Sequence, residues 1–150
     1  MTAYLTFGGG FLVAVIWMDL IFDVQALRGP RSAPLPEAVL VSIAGYYRRV
    51  TTDAKPMNQL ISGVMAGTVL GAVVTLFRGE AAFGWRALAL ALCCVPIGLA
   101  LRRVFPNAIR LGTRGDSAEE QSALARKIAR DHVACFAAML AFVAIQLFAR

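Results

Sequence analysis

Two carboxylates four positions apart, Asp19 and Asp23 in the stretch WMDLIFD, sit inside an apolar run long enough to cross a bilayer. That spacing puts both on one face of a helix. An ionised carboxylate in hydrocarbon costs on the order of several kcal/mol, so such residues turn toward a bundle interior and pair there. His132, the one histidine of the chain, opens another apolar run and follows Arg130 and Asp131 directly. An acid pair with an imidazole suits general acid–base chemistry, because an unperturbed pKa of about 6.5 lets the ring exchange protons near neutrality. The same residues also support a structural reading, in which Asp19 and Asp23 pair with Arg49, Lys55, Arg102 or Arg130 and pin helix ends to the interface. Simple exposure of Asp23 at that interface is a third reading.

These side chains include metal-ligand types, yet a single histidine is a thin supply and no H-x-x-x-H or C-x-x-C spacing occurs. The expectation is no metal site, and one histidine argues against bis-histidine haem within one chain. Cys93, Cys94 and Cys135 offer no metal spacing, and Cys93 and Cys94 read as small packing residues. The sequence carries no P-loop, G-x-S-x-G elbow, H-E-x-x-H or dinucleotide fingerprint. Which cofactor is used, if any, stays open.

The elements that must position these groups are four apolar runs, Ala3 to Leu27, Met57 to Phe77, Phe83 to Leu101 and His132 to Ala149, in a chain that is 59% hydrophobic. Each is near the roughly 20 residues that cross about 30 Å of hydrocarbon. The fold expected is all-α, a four-transmembrane-helix bundle forming one integral membrane domain over residues 1–150. The first run lacks a basic leader and a small-x-small cleavage site, so it reads as a retained helix.

The net charge of +6 comes from residues in loops and not from an aromatic-basic module, which speaks against nucleic acid as a partner. Five cations follow the first run (Arg28, Arg31, Arg48, Arg49, Lys55) and seven follow the third (Arg102, Arg103, Arg110, Arg114, Arg126, Lys127, Arg130), against Arg78, Arg86 and Arg150 elsewhere. By the positive-inside rule both long loops are cytoplasmic and both termini lie outside, periplasmic if the membrane is a bacterial inner membrane. Asp19 then lies about 24 Å and Asp23 about 30 Å along the first helix, near the cytoplasmic interface. Asn58, Gln59, Arg102, Arg103, Arg130, Asp131 and His132 reach the same level from the other runs, with Cys135 one turn above Asp131.

In the first loop, Gly29, Pro30, Pro34 and Pro36 form turns before a periodic stretch in which Leu40, Ile43, Tyr46, Tyr47 and Val50 share one side. This predicts a cytoplasmic amphipathic helix lying on the membrane, with Arg48 and Arg49 reaching for headgroups. Gly63, Gly67 and Gly71 in the second run form a G-x-x-x-G-x-x-x-G face for close helix packing, within the chain or across a homo-oligomer. Pro96 should kink the third run, and Trp85 with Arg86 reads as an aromatic anchor beside a snorkelling cation. The last loop carries Gly112 and Gly115 as breakers. Ser117 and Glu120 then fit a capping box that starts one long helix to about Phe148.

The stretches MDLIFDVQALR, RRVFPNAIRLG and ALARKIARDHVACF resemble the small four-helix membrane proteins related to anthrone oxygenases, with Asn107 and His132 at corresponding places. Asp131 stands where that family favours a polar amide, Cys135 where a basic residue is common, and the acid pair is not one of its marks. The resemblance implies cofactor-independent oxidation of a flat phenolic substrate, with His132 as the base.

The leading expectation is a cytoplasm-facing polar pocket for a lipophilic phenolic or quinone-like molecule. Asp19, Asp23 and His132 would carry the chemistry, and Arg102, Asn107, Arg130 and Asp131 would orient the ligand. The rivals are a non-catalytic subunit or scaffold, with membrane lipids and a partner subunit on its surfaces, and an oligomeric proton or ion path.

Overall fold

The computed structural model describes residues 1–28, 30 and 33–148. The expectations placed on Gly29, Arg31, Ala149 and Arg150 lie outside the described residues. Among those described the chain is helical throughout, and four helices are long and apolar enough to cross a membrane. The elements are α1 (Thr2–Leu27), α2 (Glu37–Arg48), α3 (Lys55–Arg78), α4 (Phe83–Leu99), α5 (Phe105–Thr113) and α6 (Ala118–Phe148). Two π-helical turns, Arg49–Asp53 and Ala100–Val104, precede α3 and α5.

The four long helices pack in a ring, α1 against α3, α3 against α4, α4 against α6, and α6 closing back onto α1. Their shared core holds Leu5, Leu12, Ala72, Ala89, Cys93, Met139 and Phe142. Apolar faces turned outward, including Phe7, Trp17, Leu70, Phe77 and Val95, are those a lipid environment accepts.

Close approach is set by glycines, and only partly by those expected. A Cβ at Gly71 would stand 2.9 Å from Leu5 Cδ2 and one at Gly67 would strike the Tyr4 hydroxyl, so both admit α1. Gly63 meets nothing within 4 Å and takes no part in that contact. On α1, Gly8 faces Thr68 and Gly9 faces Phe142 and Val143, with Phe142 Cδ1 only 2.9 Å from a Cβ added at Gly9. Since Phe142 is fully buried, Gly9→Val forces overpacking. We expect it to destabilise by about 1–3 kcal/mol, while Gly63→Val stays within about 0.5 kcal/mol. Denaturation of both variants in detergent checks this; equal midpoints would contradict it.

A second core lies beyond the first. Leu40, Ile43, Ala44 and Tyr47 of α2 pack with Val104, Ala108 and Leu111 around α5 and with Leu124, Ala125, Ile128 and Ala129 of α6. The side of α2 expected to be apolar is therefore buried against protein. The RRVFPNAIRLG stretch, expected as a loop, is also helical. The π turn carries the chain past Arg102 and Arg103, Pro106 takes an early helical position where its missing N–H costs nothing, and the run ends at Arg114 in a left-handed conformation (φ 57°). Gly112 does not break this helix; it gives room to the Arg48 backbone, 3.0 Å from where a Cβ would sit.

α6 belongs to both cores, and its start is as expected. Glu120 N–H donates to Ser117 Oγ at 3.3 Å and Ser117 N–H donates to Glu120 Oε2 at 3.2 Å, the reciprocal capping box. Arg86 differs from expectation. Instead of snorkelling, it folds back onto the end of α3, its Nη1 donating to Leu76 O at 2.6 Å and Thr75 O at 3.4 Å. Thr75 O also accepts from the Gly79 N–H at 2.8 Å, and the carbonyls at the end of α3 carry the negative end of the helix dipole, which attracts the nearest cation.

Candidate functional site

Asp19, Asp23 and His132 do meet, at the junction of the two cores. Asp23 is fully buried near the end of α1, and α6 brings His132 to it from 109 residues away. His132 Nδ1 lies 2.6 Å from Asp23 Oδ2. The Tyr47 hydroxyl donates to Asp23 Oδ1 at 2.6 Å, so the carboxylate accepts one hydrogen bond on each oxygen. An ionised carboxylate can only accept, so with Asp23 ionised the proton of this contact is on Nδ1, and a neutral ring then carries its lone pair on Nε2.

Nε2 faces Asp19, whose Oδ2 is 3.7 Å away, beyond hydrogen-bonding range. Asp19 in turn accepts from the Tyr46 hydroxyl at 2.6 Å. Its side chain is 17% exposed against 0% for Asp23, so the Asp19–Nε2 edge is the accessible side of the cluster. Aromatic rings flank it. Phe22 stacks on Tyr46 at 4.1 Å, and Trp17 of the outward face of α1 contacts Phe136 of α6 at 5.7 Å.

Neither acid pairs with Arg49, Lys55, Arg102 or Arg130 among the described residues, which corrects the fastening expected through those cations. Tyrosines take that place because α2 is drawn into the second core, bringing its two hydroxyls onto the acids. Arg102 is exposed, and Arg130 is exposed with Nε donating to Arg126 O, so no contact joins either to the cluster. Asp131 is held by Arg103 at 3.4 Å. Asn107 on α5 has a buried Nδ2 with no partner among the described residues and no contact to the cluster. Cys135 donates to Pro96 O at 3.6 Å, a packing role within the helix pair. Among the described residues no group of three or more His, Cys, Asp or Glu side chains is placed to hold a metal ion.

The tyrosines are what the sequence reading missed as chemistry. Both phenols are pushed above the ordinary tyrosine value of about 10, first by burial and then by the facing carboxylate, Asp23 for Tyr47 and Asp19 for Tyr46. A folded-state value above the unfolded one gives stability that is present in full below about pH 10 and is lost as pH rises beyond it. We therefore expect both phenols to stay un-ionised in the folded protein above about pH 10, ionising only with alkaline unfolding. Phenolate absorbance of the wild type against Tyr46→Phe and Tyr47→Phe measures this. A phenolate signal near pH 10 that either substitution removes, with the helix content intact, would refute it.

The arrangement defines a class: a helical chain with four membrane-compatible helices that buries an acid–imidazole–acid cluster, braced by two tyrosines, where its two cores meet. Comparison with known proteins finds no matching family model, no similar curated protein and no similar solved structure.

Proposed function

We propose that the protein is a small multi-pass protein of a bacterial inner membrane, both ends outside, that binds a lipophilic phenolic or quinone-like molecule at the Asp19–His132 edge and performs base chemistry on it. The second core, with α2, then lies on the cytoplasmic face, where the excess of Arg and Lys belongs. The observation that carries the reading is the division of labour between the acids. Asp23 holds Nδ1–H and fixes the ring, while Nε2 is left facing a carboxylate too distant to bond it.

In this reading Nε2 takes a proton from an acidic hydroxyl or ring position of the substrate. The electron pair stays on the substrate, and the new N–H comes to face the Asp19 carboxyl, an acceptor for the imidazolium that forms. Oxidation of the resulting anion draws on dioxygen as acceptor, the chemistry that the anthrone-oxygenase resemblance implies. A flat ring reaches the edge from the bilayer beside Trp17 and Phe22.

Trp17 supplies the test. In a Trp85→Phe background, a short-chain quinone should quench Trp17 saturably, and His132→Gln or Asp19→Ala should weaken binding about tenfold, the worth of one buried polar contact. Quenching that rises linearly without saturation, or that ignores both substitutions, would remove the site.

A further inference from the structure

About 27 Å along α1 from Asp23, at the opposite end of the bundle, the four long helices splay around a cavity of about 1280 Å³. Its walls are apolar, with Leu5, Ala72, Ala89 and Ile145 among them, and Arg78 and Arg86 stand in its lining with Glu80 as the acid. Neither arginine makes an ion pair among the described residues.

Arg86 is the informative one. Its Nη1 is spent on Leu76 O and Thr75 O, which fixes the guanidinium plane, and the Phe83 ring lies 5.9 Å from its Cζ. Its Nε is buried and has no partner, and Nη2 makes no hydrogen bond among the described residues. Nε and Nη2 form the side-on edge of a guanidinium, whose two parallel N–H groups match the two oxygens of a carboxylate or phosphate. The same chain uses that edge elsewhere: Arg110 Nε and Nη2 each donate to Asp116 at 2.8 Å. A buried donor normally has an acceptor, so the unused edge of Arg86 in a cavity wall marks where one is expected.

We infer that this cavity binds an anionic amphiphile, its carboxylate or phosphate head on the Nε–Nη2 edge of Arg86 with Arg78 beside it and its hydrocarbon between the helix ends. The inference is independent of the chemistry at His132. The head can belong to a bilayer phospholipid or to a free fatty acid, and the experiment separates the two.

Protein purified in a neutral maltoside detergent is examined by native mass spectrometry after addition of phosphatidylglycerol, phosphatidylcholine, a long-chain fatty acid or inorganic phosphate. One anionic amphiphile should be retained per chain, about tenfold over phosphatidylcholine. Preference for phosphatidylglycerol names a structural lipid and preference for the fatty acid a free ligand; either supports the site. Arg86→Lys keeps a charge and a donor for the carbonyls but loses the paired edge. Arg78→Gln removes a cation whose side chain makes no hydrogen bond or ion pair among the described residues. Each should lower retention about tenfold in protein of unchanged helix content. Retention of phosphatidylcholine equal to phosphatidylglycerol, displacement of the amphiphile by inorganic phosphate at equal concentration, or wild-type retention in both variants would overturn the inference.

Discussion

Asp23→Ala is expected to destabilise the protein by about 3–5 kcal/mol, more than any substitution on its outer faces. The carboxylate is fully buried and receives both the Tyr47 hydroxyl and His132 Nδ1 at 2.6 Å. Truncation leaves the Tyr47 hydroxyl and His132 Nδ1, 3.4 Å apart, with only each other in place of two 2.6 Å bonds to a carboxylate, at the place where the two cores meet. Asp19→Ala orphans only the Tyr46 hydroxyl, which lies on a part-exposed edge, so about 1 kcal/mol is expected there. Paired denaturation curves in detergent measure the difference. Equal losses for the two variants would mean that the acids are interchangeable fasteners and that Asp23 does not anchor the ring.

The second large effect concerns rate. On the proposed function, His132→Gln should lower turnover of a fused-ring phenolic, followed as dioxygen consumption, by about 10²- to 10⁴-fold. KM should rise by no more than about tenfold, the cost of the lost polar contact, because the larger loss falls on the step in which Nε2 takes the proton. Glutamine can still donate to Asp23, so the variant keeps most of the buried hydrogen bonding and is expected to fold. Asp23→Asn should also lower the rate, since an amide can hold the ring in the wrong tautomer. A folded His132→Gln protein with undiminished turnover would show that the cluster is purely structural, which the large cost of Asp23→Ala would then suffice to explain.

Much of this site was legible because membrane depth can be counted. The i, i+4 acids, the basic loops and the position of His132 at the start of the last apolar run put three groups at one level before any coordinate was known, and the structure brings those three into contact. Tyr46 and Tyr47 were counted for their rings alone, as part of the apolar side of α2. Their hydroxyls matter because α2 packs inward, a tertiary fact that helical periodicity does not carry. The available signal was chemical: a buried acid needs donors, and adjacent tyrosines follow Asp23 within 24 residues.

Cations were expected as partners because they are the commonest counter-charges, but Arg102 and Arg130 point away and Arg103 is used on Asp131. The α5 stretch was hidden by Pro106 and Gly112, which usually punctuate loops and here start a helix and admit a neighbouring backbone. Gly8 and Gly9 escaped notice because they stand in a simple run with Gly10, of which only those two face another helix.

The 109 residues separating Asp23 from His132 set an order of events during synthesis. α1 carries both acids and is made before α6, which carries the imidazole that Asp23 requires. Until α6 arrives, the first segment holds carboxylates that resist transfer into lipid, an aspartate at mid-bilayer costing about 2.5–3.5 kcal/mol on insertion scales and less near an interface. Nascent chains halted before residue 132 should therefore remain loosely inserted and exposed to membrane proteases. Arrival of α6 closes the ring of long helices and completes the acid–imidazole cluster in one step.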